Sequence, residues 1–286
     1  MGGRLTRQQL EVRANDVRID IIRMLERAGS GHSAGPLGLA DLMTTLYFDI
    51  MNIDPKNPEM KDRDIFMMSN GHCVPVQYAV MAERGFFPKE ELMTLRQLGS
   101  RLQGHPERTK LPGLENTSGP LGCGISQGAG YAYSLQYLDN DRKRWVYVVT
   151  GDGELNEGNI WEAMMFAGKY KLSQLIVFVD RNNIQIDGPT EVVMPLEDLA
   201  AKWRSFGWHV QEIDGHNIES IQDAVGMAKA IENRPSVIIT HTIPGKHVDF
   251  MEYDYKWHGV APNHDQAREA LNELRTMKGK IKGEHE

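Results

Sequence analysis

The fold is decided by VYVVTGDGELNEGN (residues 146–159) and LIVFVDRNN (residues 175–183). Each segment contains an apolar, β-branched run, and residues 160–170 between them have helical spacing. A strand–helix–strand unit of this kind makes neighbouring parallel strands. Ligands of open parallel sheets bind beyond the carboxyl ends of the strands, and Asp152 and Asn182 follow the two predicted strands.

Asp152 and Asn182 form a candidate site for a divalent cation. A carboxylate, an amide oxygen and nearby backbone carbonyls suit a hard ion such as Mg²⁺, which keeps part of its shell for phosphate and water. The glycines at 151 and 153 let the backbone approach a bulky anion. The sequence predicts a Mg²⁺-diphosphate site, but Gly-Asp-Gly is also a common turn, and both interpretations stay open at this stage.

Other metal and phosphate motifs do not fit the sequence. An EF-hand loop starting at Asp152 would need Gly at its sixth position and Glu at its twelfth, where Glu157 and Ala163 stand. The sequence contains neither GxxxxGK[ST] nor HExxH. The glycine-rich segment at 119–130 lacks the spacing of a dinucleotide-binding turn.

The composition indicates a cytoplasmic protein without nucleic-acid or membrane partners. The 286 residues carry 32 basic and 39 acidic side chains, for a net charge of −7, which disfavours binding to nucleic-acid phosphates. Two cysteines, Cys73 and Cys123, provide no disulfide framework. The amino terminus lacks the apolar core of a signal peptide, and no apolar run is long enough to span a bilayer.

Helices and strands alternate along the chain. Strands are predicted at 65–69, 145–150, 175–179, 209–213 and 236–242, and helices at 6–28, 39–47, 76–83, 89–98, 125–138, 160–170, 218–232 and from 263 onward. Apolar strands separated by helices are typical of a parallel sheet covered on both faces. Because no repeat or linker stands out, a single domain over residues 1–286 is predicted.

Four histidines lie in predicted loops beside glycine or proline: His32, His72, His105 and His258. Imidazoles bind phosphate or sugar hydroxyls and transfer protons near neutral pH, so these four are predicted to line the site. The other histidines are predicted to be structural or exposed: His209, His216, His241, His247, His264 and His285.

Seven segments resemble the transketolase family and occur in the order found there. They are SGHSAGPLGLADL (30–42), SNGH (69–72), GHPE (104–107), SGPLGCGIS (118–126), GDGELNEG (151–158), DRNNIQIDG (180–188) and WHGVAP (257–262). GDG followed by Asn after about thirty residues is similar to the thiamine diphosphate signature. The resemblance covers nearly the whole chain, but only the amino-terminal, diphosphate-binding part of a transketolase.

The resemblance implies an α/β fold and a cofactor site. The fold is a three-layer sandwich, the PP-type thiamine diphosphate-binding fold, with a mostly parallel sheet between helices. Mg²⁺ or Ca²⁺ is expected at Asp152, Asn182 and the backbone carbonyl of Ile184. Further cofactor contacts are expected from His72, Gly153 and His258 at the diphosphate, Gly119 and Leu121 near the thiazolium ring, and Glu157 at a subunit contact that links paired active sites.

The implied activity is transfer of a two-carbon ketol unit from a ketose, or its phosphate, to an aldose, or its phosphate. His32, His105 and His258 are the expected catalytic residues, which bind donor hydroxyls and assist proton transfers. The carbon–carbon bond chemistry belongs to the cofactor, whose ylid attacks the ketose.

The resemblance also implies a partner chain. In the family, the glutamate that activates the cofactor and the arginines that bind substrate phosphate belong to the pyrimidine-binding domain. The chain ends at Glu286, before such a domain. We expect the pyrimidine-binding and C-terminal domains on a partner subunit in an α2β2 assembly, and the opening Met and predicted final helix favour a split subunit over a fragment.

Two alternatives remain at this stage. The α subunit of a thiamine diphosphate-dependent 2-oxo acid decarboxylase or dehydrogenase also carries a GDG signature, although SGPLGCG and WHGVAP favour transketolase. A non-catalytic homologue would keep the fold without the chemistry, and the intact Asp152, Asn182 and loop histidines argue against it.

Overall fold

The computed structural model describes residues 5–284. The strands within that range are β1 (Ile65–Met68), β2 (Val146–Gly151), β3 (Leu175–Arg181), β4 (Ile184–Gln185), β5 (Gly188–Pro189), β6 (His209–Asp214) and β7 (Ser236–His241). The α-helices are α1 (Arg7–Ala28), α2 (Ala34–Gly38), α3 (Ala40–Thr45), α4 (Val74–Arg84), α5 (Cys123–Tyr133), α6 (Gly158–Lys169), α7 (Thr190–Val193), α8 (Leu199–Ser205), α9 (Ile218–Ala230) and α10 (His264–Glu284).

Five strands form a parallel sheet in the order β1-β2-β3-β7-β6, and β4 and β5 form a separate antiparallel hairpin. In the sheet, Val146 is opposite Leu175, and Gly151 is opposite Asp180. The carboxyl ends of β1, β2 and β3 therefore meet at one edge. The predicted strand–helix–strand unit of neighbouring parallel strands is confirmed.

Two hydrophobic cores cover the two faces of the sheet. Along β2, Tyr147 and Val149 belong to a core shared with α1, α3, α4, α9 and α10, whereas Val146 and Val148 belong to a second core shared with α5, α6 and α8. This alternation follows from the two-residue period of a strand. Because both faces are covered by helices, the predicted three-layer α/β sandwich is confirmed.

The longest helix begins and ends where the sequence predicts. The Thr6 side chain accepts a hydrogen bond from the backbone N–H of Gln9, and the Gln9 side chain accepts one from the N–H of Thr6 at 2.9 Å. This reciprocal capping satisfies two N–H groups that lack partners within the helix. At the other end, Gly29 adopts the left-handed conformation that closes α1.

Two predictions of local structure are wrong. The helix predicted at 89–98 is a short 3₁₀ segment, Lys89–Thr94, because Arg96 and Gly99 have positive φ angles of 59° and 82°, which end helical geometry. The loop predicted at His32, between the helices at 6–28 and 39–47, contains α2, whose Pro36 lies in the first turn, where a missing N–H breaks no helical bond. No helix among residues 5–284 is both long and apolar enough to cross a membrane.

Candidate active site

A cavity of about 190 Å³ lies at the carboxyl ends of β1, β2 and β3. The predicted site residues that line it are His72, Leu121, Asp152, Gly153, Asn182, Ile184 and His258. Gly119 does not line this cavity and lies beside His105, where an added Cβ would be 3.8 Å from the ring. Glu157 is exposed at the start of α6 and does not line this cavity.

The Asp152 carboxylate is buried at the end of β2 and is held by four donors. Its Oδ2 accepts hydrogen bonds from Arg181 Nη1 at 3.0 Å, the Asn183 N–H at 2.8 Å and Thr190 Oγ1 at 3.3 Å. Its Oδ1 accepts the Gly153 N–H at 2.7 Å. Burial raises the pKa of Asp152, and the Arg181 charge opposes that shift. Oδ1, with a single donor among residues 5–284, keeps a lone pair for a ligand.

Asn182 is oriented by a second buried carboxyl group, Asp180. The Asn182 Nδ2 donates to Asp180 Oδ2 at 2.8 Å, and its Oδ1 accepts the Ile184 N–H at 3.0 Å. Thr242 Oγ1 donates to the other Asp180 oxygen. Burial raises the pKa of Asp180 to about 7, and the neighbouring Asp152 charge adds to the shift. The amide therefore presents its oxygen side to the cavity with one lone pair to spare.

The four predicted histidines form one cluster. The ring centroid of His32 lies 4.9 Å from that of His72, 5.6 Å from that of His258 and 6.5 Å from that of His105, and His72 and His258 are 5.1 Å apart. Ser33 Oγ donates to the Val260 carbonyl at 2.6 Å, which fastens the loop of His32 to that of His258.

The clustered imidazoles are neutral at physiological pH. Burial lowers the pKa of His32 to about 4, and the charges of His258, Arg96 and His105 add to the effect. Burial also lowers the pKa of His72, His105 and His258. A neutral imidazole offers one donor and one acceptor nitrogen, and the Nδ1 atoms of His32 and His258 are buried without a partner in the described part of the chain. The cluster can therefore bind hydroxyl groups and accept protons.

Several residues around the site were missed by reasoning from sequence. Arg181 pairs with Asp152, Asp180 orients Asn182, and Arg96 packs its guanidinium against Gly104. Arg181 and Asp180 directly precede Asn182 in the sequence, and this proximity was the only sequence signal that they belong to the site. A second missed carboxyl group, Glu154, lines the cavity. Of the six histidines predicted to be structural or exposed, His285 lies outside the described residues.

A metal ion at this site would depend on mixed oxygen ligands. Within residues 5–284, no three His, Cys, Asp or Glu side chains are arranged to hold a metal ion. The predicted set of one carboxylate, one amide and one backbone carbonyl is of a different kind, and its side-chain oxygens each keep acceptor capacity. This donor set fits Mg²⁺ or Ca²⁺, which prefer oxygen ligands and retain water or phosphate.

The chain is similar in sequence to known proteins. The family described as transketolase, thiamine diphosphate binding domain, matches residues 10–279. The chain is 41% identical over 274 residues to a 6-deoxy-6-sulfo-D-fructose transketolase subunit of Clostridium sp. (strain MSTE9), covering 94% of this chain and 98% of that one. It is 38% identical over 278 residues to an apulose-4-phosphate transketolase subunit of Phocaeicola vulgatus, covering 97% and 98%.

A solved structure extends the comparison to the fold. Transketolase from Leishmania mexicana superposes with a TM-score of 0.86 at 31% identity, covering 96% of this chain and 45% of that one. The chain thus spans nearly all of the two relatives but less than half of this longer enzyme. The family match over residues 10–279 and the shared fold lead to one conclusion. The chain belongs to the transketolase family and contains its thiamine diphosphate binding domain.

Proposed function

We propose that this chain is the diphosphate-binding subunit of a thiamine diphosphate-dependent transketolase. It transfers a two-carbon ketol unit from a ketose or ketose phosphate to an aldose or aldose phosphate. The observation that carries the proposal is the strand-end cavity, where Asp152, Asn182 and Ile184 lie together with His72 and His258. Its polar groups match a metal-bound diphosphate on a sheet edge that suits such ligands.

The metal is held by Asp152, Asn182 and the Ile184 carbonyl, and it is Mg²⁺ or Ca²⁺. Support comes from the spare lone pairs on Asp152 Oδ1 and Asn182 Oδ1 and from the local charge. The pKa of both Asp152 and Asp180 is raised by burial, and the cation beside them, Arg181, pairs with Asp152. A divalent ion supplies positive charge where these carboxyl groups lack it.

The cofactor contacts follow from the cavity lining. His72, Gly153 and His258 bind the diphosphate, and the two neutral imidazoles donate N–H groups to the phosphate oxygens. Leu121, which is 36% exposed at the cavity, packs near the thiazolium ring together with Gly119. Asn182 contributes through the metal, and Glu157, exposed at the start of α6, reaches across a subunit contact. Cavity position and the resemblance together support the assignments of His72, Leu121, Gly153, Asn182 and His258. The assignments of Gly119 and Glu157 rest on the resemblance alone.

The catalytic roles fall to His32, His105 and His258. Bound cofactor supplies the carbanion chemistry that breaks a carbon–carbon bond beside a carbonyl. The three imidazoles hold the sugar hydroxyls and take up or return their protons at the ring nitrogens. Their lowered pKa values keep them neutral, so each ring has an acceptor nitrogen before the reaction begins.

A partner subunit completes the site. Exposed apolar side chains lie in and after the hairpin beside the cavity: Ile186, which lines the cavity, is 68% exposed, and Val192 and Met194 are 78% and 56% exposed. Such a patch marks a protein interface. We infer a C-terminal transketolase subunit with the pyrimidine-binding domain in an α2β2 assembly, located in the cytoplasm. Sugar phosphates are the proposed substrates, in line with the apulose-4-phosphate named for one relative.

Co-purification and assay test this proposal. The chain alone is expected to lack ketol transfer, and adding the partner subunit, thiamine diphosphate and Mg²⁺ restores it, as measured by formation of the new ketose. Robust turnover by the chain alone contradicts the split site. Release of carbon dioxide from a 2-oxo acid, without ketol transfer, points instead to the 2-oxo acid decarboxylase, which the family match disfavours.

A further inference from the structure

Glu154 is buried at the centre of the strand-end edge and accepts four hydrogen bonds. The residue is 3% exposed. Its Oε1 accepts from Ser69 Oγ at 2.5 Å and the Gly122 N–H at 2.6 Å, and its Oε2 accepts from Thr150 Oγ1 at 2.7 Å and the Gly151 N–H at 3.0 Å. A carboxylate has about four acceptor positions, so the protein itself uses all of them. Although Glu154 lines the cavity, no position is left for a metal ion.

The four donors come from three separate parts of the chain. Ser69 follows β1, Thr150 and Gly151 end β2, and Gly122 belongs to the glycine-rich segment 119–124. The two carboxylate oxygens divide these donors, because Oε2 bonds only to residues of the preceding strand β2, whereas Oε1 bonds to Ser69 after β1 and to the segment. Glu154 is therefore a bridge between β2 and the elements beside it.

Ser69 extends the bridge further into the glycine-rich segment. Its Oγ also accepts the Gly124 N–H at 3.1 Å, and a Cβ added to Gly124 would lie 2.6 Å from the Ser69 backbone. The segment thus lies against the end of β1 with no room for a side chain. Gly119 and Leu121, which are proposed to pack near the thiazolium ring, belong to this segment. Their distance from residues 151–153, on the proposed diphosphate side of the pocket, therefore depends on Glu154.

We propose that Glu154 is a positioning residue that sets the spacing between the thiazolium side and the diphosphate side of the cofactor pocket. This inference rests on the proposed function, and it assigns Glu154 no contact with the metal or the reacting atoms. It acts through Ser69 and the glycine-rich segment. Two ends of one cofactor bind optimally only when both sides of the pocket are held at a fixed spacing, and a rigid bridge reduces the ordering required on binding.

The test compares variants of the full chain, each in complex with the partner subunit, by calorimetric titration with thiamine diphosphate at saturating Mg²⁺. Glu154→Gln turns one acceptor into an NH₂ group that faces two donors, and binding is expected to weaken by about tenfold. Ser69→Ala removes one hydroxyl from Oε1 and is expected to weaken binding by about three- to fivefold. Thr150→Val removes one hydroxyl from Oε2, within β2, and affinity should stay within about twofold of wild type.

A control separates positioning from general stability. Asp64 is also a buried carboxyl group, and it accepts the Asn52 and Trp145 N–H groups at 2.9 and 2.8 Å at the opposite edge of the sheet. Asp64→Asn and Glu154→Gln should both lower the melting temperature, but Asp64→Asn should leave cofactor affinity unchanged.

The outcomes distinguish this role from the proposed function. Wild-type affinity in Glu154→Gln, or equal losses in Ser69→Ala and Thr150→Val, overturns the positioning role while the cofactor site stands. If Glu154→Gln does not fold, the Ser69 and Thr150 pair decides the question. A wild-type complex of the chain with its partner subunit that does not bind Mg²⁺ and thiamine diphosphate overturns the proposed function, and the positioning role with it.

Discussion

Two buried ionic clusters in this molecule balance their charges in opposite ways. The helical cluster consists of Arg18, Asp41 and His216, and the strand-end cluster consists of Asp152, Glu154 and Asp180. In the helical cluster, Arg18 donates to both Asp41 oxygens at 3.2 and 2.5 Å, and His216 Nδ1 lies 2.8 Å from Asp41 Oδ2. Burial opposes ionisation there, but Arg18 and His216 outweigh it and hold the pKa of Asp41 well below its usual range.

The strand-end cluster shows the reverse balance. Burial is the largest influence on all three of its carboxyl groups, and the pKa of each is raised. For Asp180, no cation among residues 5–284 acts against burial, and the charge of Asp152 adds to it. Removing one partner of a matched buried pair costs stability because the other charge is left uncompensated, and carboxyl groups with perturbed pKa values are concentrated at ligand-binding sites. We therefore infer that the helical cluster serves the fold and that Asp152 and Asp180 of the strand-end cluster lie where a cation is expected to bind.

Removing the cation of the helical cluster should have the largest effect. Arg18 is 1% exposed, so Arg18→Met leaves a buried carboxylate with one imidazole partner, and the free energy of unfolding is expected to fall by about 3 to 5 kcal/mol. Urea unfolding measures this loss. The control is Arg101→Met at the partly exposed pair with Glu91, where less than about 1 kcal/mol is expected. Equal losses in both variants would contradict the structural role of the helical cluster.

The strand-end cluster should respond in binding instead. Asp152→Ala removes a proposed metal ligand, and Mg²⁺-dependent binding of thiamine diphosphate is expected to weaken by about a hundredfold, measured by calorimetry with and without Mg²⁺. Asp187→Ala provides the control, because Asp187 is an exposed carboxylate that lines the same cavity. Its loss should change affinity by less than about threefold. Unchanged metal dependence in Asp152→Ala would refute the metal assignment.

The sequence predicted which residues lie at the edge of the sheet. It did not predict which side chains pair with the buried carboxyl groups and balance their charges. Strand and helix periods placed Asp152 and Asn182 at adjacent strand ends, and both lie there. The periods carried no information about which side chains meet across the fold. Arg18 and Asp41 lie in different helices, and Glu154 bonds to Ser69 from 85 residues away. Such pairs depend on packing, so the charge balance that separates the two clusters appeared only in the structure.

Short irregular elements were also beyond the sequence. The hairpin of β4 and β5 has two residues in each strand, which is too short for a period to be recognised. The hairpin nevertheless carries Ile184, whose carbonyl is a proposed metal ligand. The family resemblance supplied that residue, and the residue pattern alone did not.

The histidines extend the comparison to pH. His216 faces a carboxylate, whereas His32 faces other imidazoles and Arg96, and its pKa is lowered to about 4. Between pH 6.5 and 4 the unfolded chain binds a proton at His32 that the folded chain does not, so stability falls as the pH falls. When the pH is lowered from about 7 to about 5, the free energy of unfolding should therefore fall by about 1 to 2 kcal/mol less in His32→Asn than in wild type, as measured by urea unfolding. Identical pH profiles would contradict a neutral buried His32.

The smallest predicted effect tests whether Arg181 stabilises the buried Asp152 carboxylate as Arg18 stabilises that of Asp41. The Arg181 side chain is 12% exposed and pairs with both Asp152 and Glu191, and Asp152 keeps three other donors when it is removed. Arg181→Met is therefore expected to lower stability by only about 1 kcal/mol without metal.

A divalent ion that binds the folded chain stabilises it by mass action, and it binds more tightly once the competing guanidinium is gone. The rise in melting temperature on adding Mg²⁺ should thus be larger in Arg181→Met than in wild type. Arg18→Met, whose cluster has no ligand to gain, should show only the wild-type rise. A smaller rise in Arg181→Met would mean that Arg181 helps to hold the metal ligand in place, and the two clusters would then use their arginines in the same way.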